Sequence, residues 1–265
     1  MSRTLTILGC GSSGGVPRIG GDWGLCDPAN PKNRRRRCSV LLTQTGAEGQ
    51  TRVLVDTSPD LREQMLSANI AELDGVLFTH EHADHTHGID DLRAFYLRSR
   101  RRVPIWADEA TGSMLTSRFT YCFYTAPGSD YPHILDLNRI AIGQTIMVNG
   151  AGGIIEAEPF KVHHGVIDAL GFRFGATAYT PDLNAIPPES VGALEGLDLW
   201  IVDALKRDRH GSHFSLPETL IWIDRLKPKR AIITNMHIDM DYNTLCGELP
   251  KTVEPAYDGM EITIR

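Results

Sequence analysis

The stretch "VLFTHEHADHTHG", residues 76–88, constrains this chain more than any other. Four apolar or small residues are followed within eight positions by four histidines, a glutamate and an aspartate. A short apolar run ahead of polar residues reads as a buried strand that gives out near Thr79. His80 and His82, two residues apart, can point to one side of an extended segment. Asp84 and His85 follow once the chain turns. Imidazole and carboxylate are the donors that zinc, manganese or iron take, so the first two histidines suit one ion and the Asp–His pair a second. The bland alternative, a solvated loop that happens to be rich in histidine, fits poorly behind a buried strand. Such a fold must place a rigid strand end beside other strand ends that complete the donor set.

Donors of the right type do recur at strand ends. "KVHHG" offers His163 and His164, and spacing alone leaves open which of the two is used. "AYTPD" offers Asp182, and "ITNMHID" offers His237. Strand-rich segments interspersed with helices run the whole length. Strands are expected over residues 4–11, 39–45, 52–57 and 197–205, with others at "VPIWAD", "RAIITNM" and "MEITIR". Helices are expected at "SPDLREQMLSANI", with Ser58 as N-cap and Leu61, Met65 and Leu66 as its apolar stripe, and at "GIDDLRAFYLRS", "EATGSMLTSRF" and "LPETLIWIDRL". No repeat or linker interrupts the 265 residues, so one α/β domain, 1–265, with helices covering sheets is expected.

Composition narrows the function. A net charge of −6 argues against a non-specific nucleic-acid binder. The basic runs at residues 34–37 and 98–102 are read as solvated surface. Five cysteines without C-x-x-C spacing suit a reducing cytoplasm rather than a disulfide framework. Cys10 and Cys38 are expected to be buried thiols, and Trp106, Trp200 and Trp222 core. No apolar run resembles a signal peptide or a membrane span. Arg173 in "GFRFG" is a candidate for phosphate binding, its alternative being a strand-face arginine in a surface pair. The "GCGSSGG" loop is a weaker anion candidate, and His87 could orient a ligand.

"THEHADH" resembles the H-x-H-x-D-H signature of the metallo-β-lactamase fold, whose architecture is a four-layer αββα sandwich. "GCGSSGGVP", "VDTSPDLREQ", "HADHTHGIDDLR" and "PAYDGMEI" are similar to its phosphodiesterase branch, which includes the phosphoribosyl cyclic phosphodiesterases. The resemblance implies one divalent ion, Zn or Mn, on His80, His82 and His164. It implies a second on Asp84, His85 and His237, with Asp182 between the two. It also gives His213 in "GSHFSLPE" the role of touching the scissile phosphate or protonating the leaving oxygen. Asp84 is then both ligand and catalytic residue.

The implied activity is hydrolysis of a small cyclic or nucleotide-like phosphodiester by water activated on the two ions. Nucleic acid and membrane are not expected as partners, and a homodimer is compatible with the sequence. The alternatives are a lactone or thioester hydrolase of the same fold and a non-catalytic metal-binding module. A diiron oxidoreductase of this fold usually has a carboxylate where His82 stands.

Two departures from the branch stand out. Its C-x-C-x-x-C zinc trio is reduced to Cys26, with Gly21 and Trp23 in the other places, so no structural zinc is expected. Its terminal T-H ligand is replaced by "TNMH", which puts Asn235 at the expected spot and His237 two residues late.

Overall fold

In a computed structural model, residues 2–265 are described. Six strands follow one another in the first sheet: β1 (Ser2–Gly9), β2 (Ser39–Thr45), β3 (Gln50–Val55), β4 (Gly75–Leu77), β5 (Val103–Ala107) and β6 (Leu135–Arg139). The next seven build the second: β7 (Ile146–Val148), β8 (Ile155–His164), β9 (Ile167–Phe174), β10 (Thr177–Thr180), β11 (Leu199–Asp203), β12 (Arg230–Thr234) and β13 (Val253–Pro255). The last strand, β14 (Met260–Ile264), returns to the first sheet beside β1. Spatial order is β14-β1-β2-β3-β4-β5-β6 in one sheet and β13-β12-β11-β10-β9-β8-β7 in the other.

Each sheet is antiparallel at one side, over β14-β1-β2-β3 and β7-β8-β9-β10, and continues parallel from β3 to β6 and from β10 to β13. Parallel neighbours need crossovers, and here those crossovers carry most of the helices. Between β3 and β4 lies α1 (Leu61–Ser67). Between β4 and β5 lie α2 (Ala83–Thr86) and α3 (Arg93–Ser99). Then come α4 (Glu109–Arg118) and α5 (Thr120–Phe123) before β6, α6 (Leu216–Leu226) before β12, and α7 (Tyr242–Glu248) before β13.

Side-chain alternation sorts the core into layers. Leu5, Ile7, Val40, Leu42, Val53 and Val55 on the first sheet share a cluster with Phe172, Phe174, Trp200 and Ile232 on the second. The intervening Leu41, Leu54, Val76 and Phe78 face the other way, under Leu61, Met65, Leu92, Phe95 and Leu115 of the helices. On the far side, Ile223 of α6 and Leu245 of α7 close the second sheet. The result is the four-layer αββα sandwich expected from the sequence.

Several local readings need correction. Leu66 is 60% exposed, so the apolar stripe of α1 rests on Leu61 and Met65. Ser58 does not sit at the helix end: Asp60 does, and the Ser58 hydroxyl accepts from the Asp60 N–H, one step upstream. The first basic run is not solvated surface. Arg35 is 1% exposed. Its guanidinium donates to Met240 O (2.6 Å) and Asn33 Oδ1 (3.3 Å) and lies 3.7 Å from Cys26 Sγ. Arg36 and Arg37 pair with Asp258 and Asp60, each at 3.0 Å. The run latches the N-terminal loop to the C-terminal segment, and a periodicity argument cannot see partners more than 200 residues away. Residues 98–102 are exposed as expected.

This topology brings the carboxyl ends of the parallel strands to one mouth. Asp56 follows β3, His80 to His85 follow β4, Asp182 follows β10, Asp203 ends β11 and Asn235 follows β12. Strand ends on a packed sandwich hold side chains with little slack, which a multi-donor site requires.

Candidate metal centre

The "HEHADH" segment is rigid for identifiable reasons. The Asp56 carboxylate accepts from the Thr79 N–H and the Thr79 hydroxyl, both at 2.8 Å, and from His85 Nδ1 at 2.7 Å. With its proton given to Asp56, the Thr79 oxygen is free to accept from His80 Nδ1 (2.9 Å). His164 Nδ1 donates to the Ser212 carbonyl at 2.6 Å. Each of these three rings therefore spends its Nδ1–H on the protein and turns a bare Nε2 inward.

The inward nitrogens meet one another and a carboxylate. His164 Nε2 is 3.1 Å from His82 Nδ1. Asp182 oxygens lie 3.8 Å from His80 Nε2, 3.2 Å from His85 Nε2 and 3.6 Å from His164 Nε2. Asp84 stands 3.6 Å from His85 Nε2. Three groups gather closely enough to hold an ion: His80, His82 and His164; His80, His85 and Asp182; His164, Asp182 and His213. His80 Nε2 and His85 Nε2 are buried without any hydrogen-bond partner. A buried lone pair with nothing to accept is costly, and a divalent cation is the group that would satisfy several at once. The donor set fits metal.

The electrostatics agree. Burial among other imidazoles holds His80 well below the usual histidine range. For Asp182, burial opposes ionisation, but His85 and its neighbours outweigh it and keep the carboxyl well below the ordinary value. Burial disfavours a charge on His85, but Asp182, Asp56 and Asp84 outweigh it and raise this ring well above the ordinary range, so a divalent ion would take the place of its proton and leave imidazoles around an ionised carboxylate.

His213 forms a second, adjoining unit. Its Nδ1 lies 2.8 Å from Asp203 Oδ2, and its ring centroid is 4.5 Å from that of His164. Burial disfavours its charge, yet the Asp203 carboxylate overcomes this and raises it to about 9. The loops are cross-tied: Phe214 N–H donates to Leu183 O (2.6 Å), and Leu183 N–H donates to Asp203 Oδ2 (3.1 Å). Two residues beyond His213, Ser215 and Glu218 form a capping box that starts α6.

These side chains floor a cleft of ≈ 270 Å³, whose lining includes Ser12, Ser13, Arg18, Leu205, Lys206, His210 and Ser212, together with His82, Asp84, His164, Asp182, His213 and His237. A larger depression of ≈ 510 Å³, bordered by Gln50, Glu72, Asp74 and Arg98, contains none of the three groups.

Of the residues singled out from the sequence, His80, His82, His85, His164, Asp182 and His213 fall within the three groups, and Asp84 stands outside them but 3.6 Å from His85 Nε2. The open choice between His163 and His164 is resolved by strand alternation. His164 is 2% exposed and faces inward, while His163 points to solvent and pairs with Asp168 (2.8 Å).

Two expectations are not met. Arg173 lies near the opposite end of β9 from the His164 turn, and its guanidinium is spent on the carbonyls of Gly175, Ala193 and Glu195. It takes no part in this cleft. His237 reaches the cleft but joins none of the three groups. Its Nε2 faces the Arg18 guanidinium, and its Nδ1 lies 3.2 Å from Asp239 Oδ1. The reason is local. Asn235 takes a left-handed turn (φ 60°) after β12, and Met236 N–H bonds to Cys10 O, which carries His237 towards the rim.

The sequence reading missed Asp56 and Asp203, the acids that orient His85 and His213. Both end apolar runs, "VLVD" and "WIVD", and that position was the available signal. Asp56→Asn is expected to weaken metal affinity by roughly 10–100-fold, read by competition with a chelator, because the His85 ring loses its orienting acceptor.

A family model described as a beta-lactamase superfamily domain matches residues 51–238. The chain belongs to that superfamily. A solved member, reported as a new diphosphatase from the PhnP family, superposes with a TM-score of 0.88 and 34% identity, covering 100% of this chain and 98% of that one. Among curated proteins, a Porphyromonas gingivalis octanoyltransferase is 30% identical over 260 residues, 97% of this chain and 51% of its own. A Bradyrhizobium ribonuclease Z is 28% identical over 156 residues, 58% of this chain and 48% of its own. The chain thus spans about half the length of the curated relatives it matches. Among the described residues, no helix is long and apolar enough to cross a membrane.

Proposed function

We propose that this protein is a metal-dependent phosphodiesterase acting on a small cyclic or nucleotide-like phosphodiester in the cytoplasm, with no nucleic-acid or membrane partner. The observation that carries the reading is the cleft itself. It sets bare imidazoles and carboxylates beside two cations, Arg18 and Lys206, and Leu205 is the sole apolar side chain in its lining. Among the described residues neither cation has a carboxylate within ion-pair distance, so both can face an anionic substrate. A lactone or thioester hydrolase would need a more apolar lining. A passive metal-binding module would have no use for an Asp203-tethered His213 beside the donors. Two of the three relatives, a diphosphatase and a ribonuclease, carry names of phosphorus–oxygen bond cleavage.

His80, His82 and His164 with Asp182 would hold one divalent ion, Zn or Mn, and Asp84, His85 and Asp182 a second. Bound there, the ions supply Lewis acidity towards phosphoryl oxygens and lower the pKa of water. The chain's own residues do the rest. Arg18 and Lys206 draw the phosphoryl group into the cleft and offset its charge. Asp203 holds the His213 ring in one orientation with a proton available. As the oxygen of water bonds to phosphorus and the ester P–O bond breaks, the His213 proton passes to the leaving oxygen, and the proton lost by the water goes to solvent, from which the ring is recharged.

Hydrolysis of ribose cyclic phosphates by protein supplied with Zn or Mn, with Asp84→Ala as control, tests this. Turnover lost in the mutant supports the proposal. Turnover of lactones or thioesters instead, or equal turnover in the mutant, overturns it.

A further inference from the structure

We infer that the two ion positions are unequal: the one on His80, His82 and His164 retains its ion, and the one on Asp84 and His85 exchanges freely. This rests on the metal reading above and concerns which residues complete the second position.

The first position has three imidazoles closing around one point, with Asp182 alongside. The second has His85, Asp84 and the shared Asp182. The two chain positions that could supply its last donor are Asn235 and His237, and both are otherwise engaged. The Asn235 amide nitrogen donates to Asp182 Oδ1 at 3.1 Å, the same oxygen that lies 3.2 Å from His85 Nε2. An N–H directed at that carboxylate is a competitor for the second ion, not a ligand to it. Asn235 is 2% exposed and its amide is held from two sides, with the His213 ring 3.2 Å away.

His237 is engaged more firmly. A guanidinium has no lone pair and can only donate, so Arg18 takes the Nε2 lone pair that a metal would need. Asp239 takes the Nδ1 proton. Turning this ring towards the second position would break both contacts and leave the Arg18 cation facing the incoming one. Burial and Arg18 both press His237 below the ordinary histidine range, in keeping with a ring that accepts from that guanidinium.

The second position therefore offers two carboxylates and one imidazole, one carboxylate being shared. Such an oxygen-rich, incomplete set binds borderline ions less firmly than the imidazole-rich first one.

The test counts metal. Full-length protein is stripped, refilled with Zn2+, dialysed against metal-free buffer and analysed by inductively coupled plasma mass spectrometry and native mass spectrometry. The wild type should keep about one ion per chain, Asn235→His about two, and His237→Ala about one, as in the wild type. Histidine is among the side chains that tolerate the left-handed backbone found at 235. Retention of about two ions by the wild type overturns the inference and leaves the hydrolase reading standing. Loss of ions in His237→Ala overturns it too, since His237 would then be the donor. Retention of none overturns both the inference and the metal reading. Should Asn235→His not fold, Co2+ titration of the wild type followed by absorption decides. Two phases separated by roughly 10-fold or more in affinity support inequality, and a single phase of two equivalents overturns it.

Discussion

Asp182→Ala is expected to lower hydrolysis by more than about 100-fold and to reduce bound metal together with it. The loss should exceed the 10–100-fold typical of residues that merely orient a ligand. Asp182 is 3% exposed and stands within 4 Å of His80, His85, His164 and His213. Removing it takes away the one carboxylate that reaches all four rings. Among these rings Asp84 and Asp56 touch only His85, and Asp203 touches only His213, so the rings lose their common centre and a cation loses its shared counter-charge. Activity and metal content measured on the same preparation provide the check. Full activity with normal metal in Asp182→Ala would show that the carboxylate is incidental to the centre.

His213→Ala is expected to reduce turnover by roughly 10²–10⁴-fold, the range for a general acid, while metal content stays at the wild-type level. Parallel loss of metal would instead make His213 a ligand, a role its proximity to His164 and Asp182 permits. The companion variant, Asp203→Asn, separates positioning from chemistry. In the metal-free protein the His213 ring should titrate near 9, because Asp203 stabilises its charged form. A raised histidine contributes stability that is complete below its unfolded value of about 6.5 and is lost as pH rises through the folded value. In Asp203→Asn, burial is opposed only by the more distant Asp182 carboxylate, 3.9 Å away, so the titration should move down. NMR of the ring protons reads this directly, and an unchanged titration would show that Asp203 does not govern His213.

The two variants bear on different atoms of one short chain of contacts. Asp182 gathers the inward-facing nitrogens, and Asp203 sets the charge of the ring beside them. Both acids end a parallel strand of the second sheet, while His80 to His85 come from the first. Neither sheet alone holds the constellation, and it exists only where the two mouths coincide.

How much of this could be read beforehand varies by residue. The "THEHADH" run announces donors because charge placed directly behind a buried strand needs a partner, and that argument is local. Apolar runs bounded by turn residues likewise made most strands visible, among them 39–45, and the amphipathic spacing marked Leu216–Leu226 to the residue. Arg35 was misread for the opposite reason. Its carbonyl partner at Met240 is 205 residues away, and nothing local distinguishes a buried guanidinium from a solvated one. Asp56 and Asp203 were visible as strand ends but not as orienting acids, since that role depends on a histidine elsewhere in the chain.

By itself, then, the amino-acid order determined the layers, the position of the metal-type donors at strand ends and the family they belong to. These follow from patterns a few residues long. Tertiary structure decided the assignments: His164 rather than His163, Arg173 tied to carbonyls far from the cleft, His237 turned to Arg18, and Asn235 set against Asp182. Each of these depends on which lone pair faces which neighbour across the sandwich. A single backbone turn at Asn235 redirects a side chain out of coordinating reach, and no spacing rule carries that information.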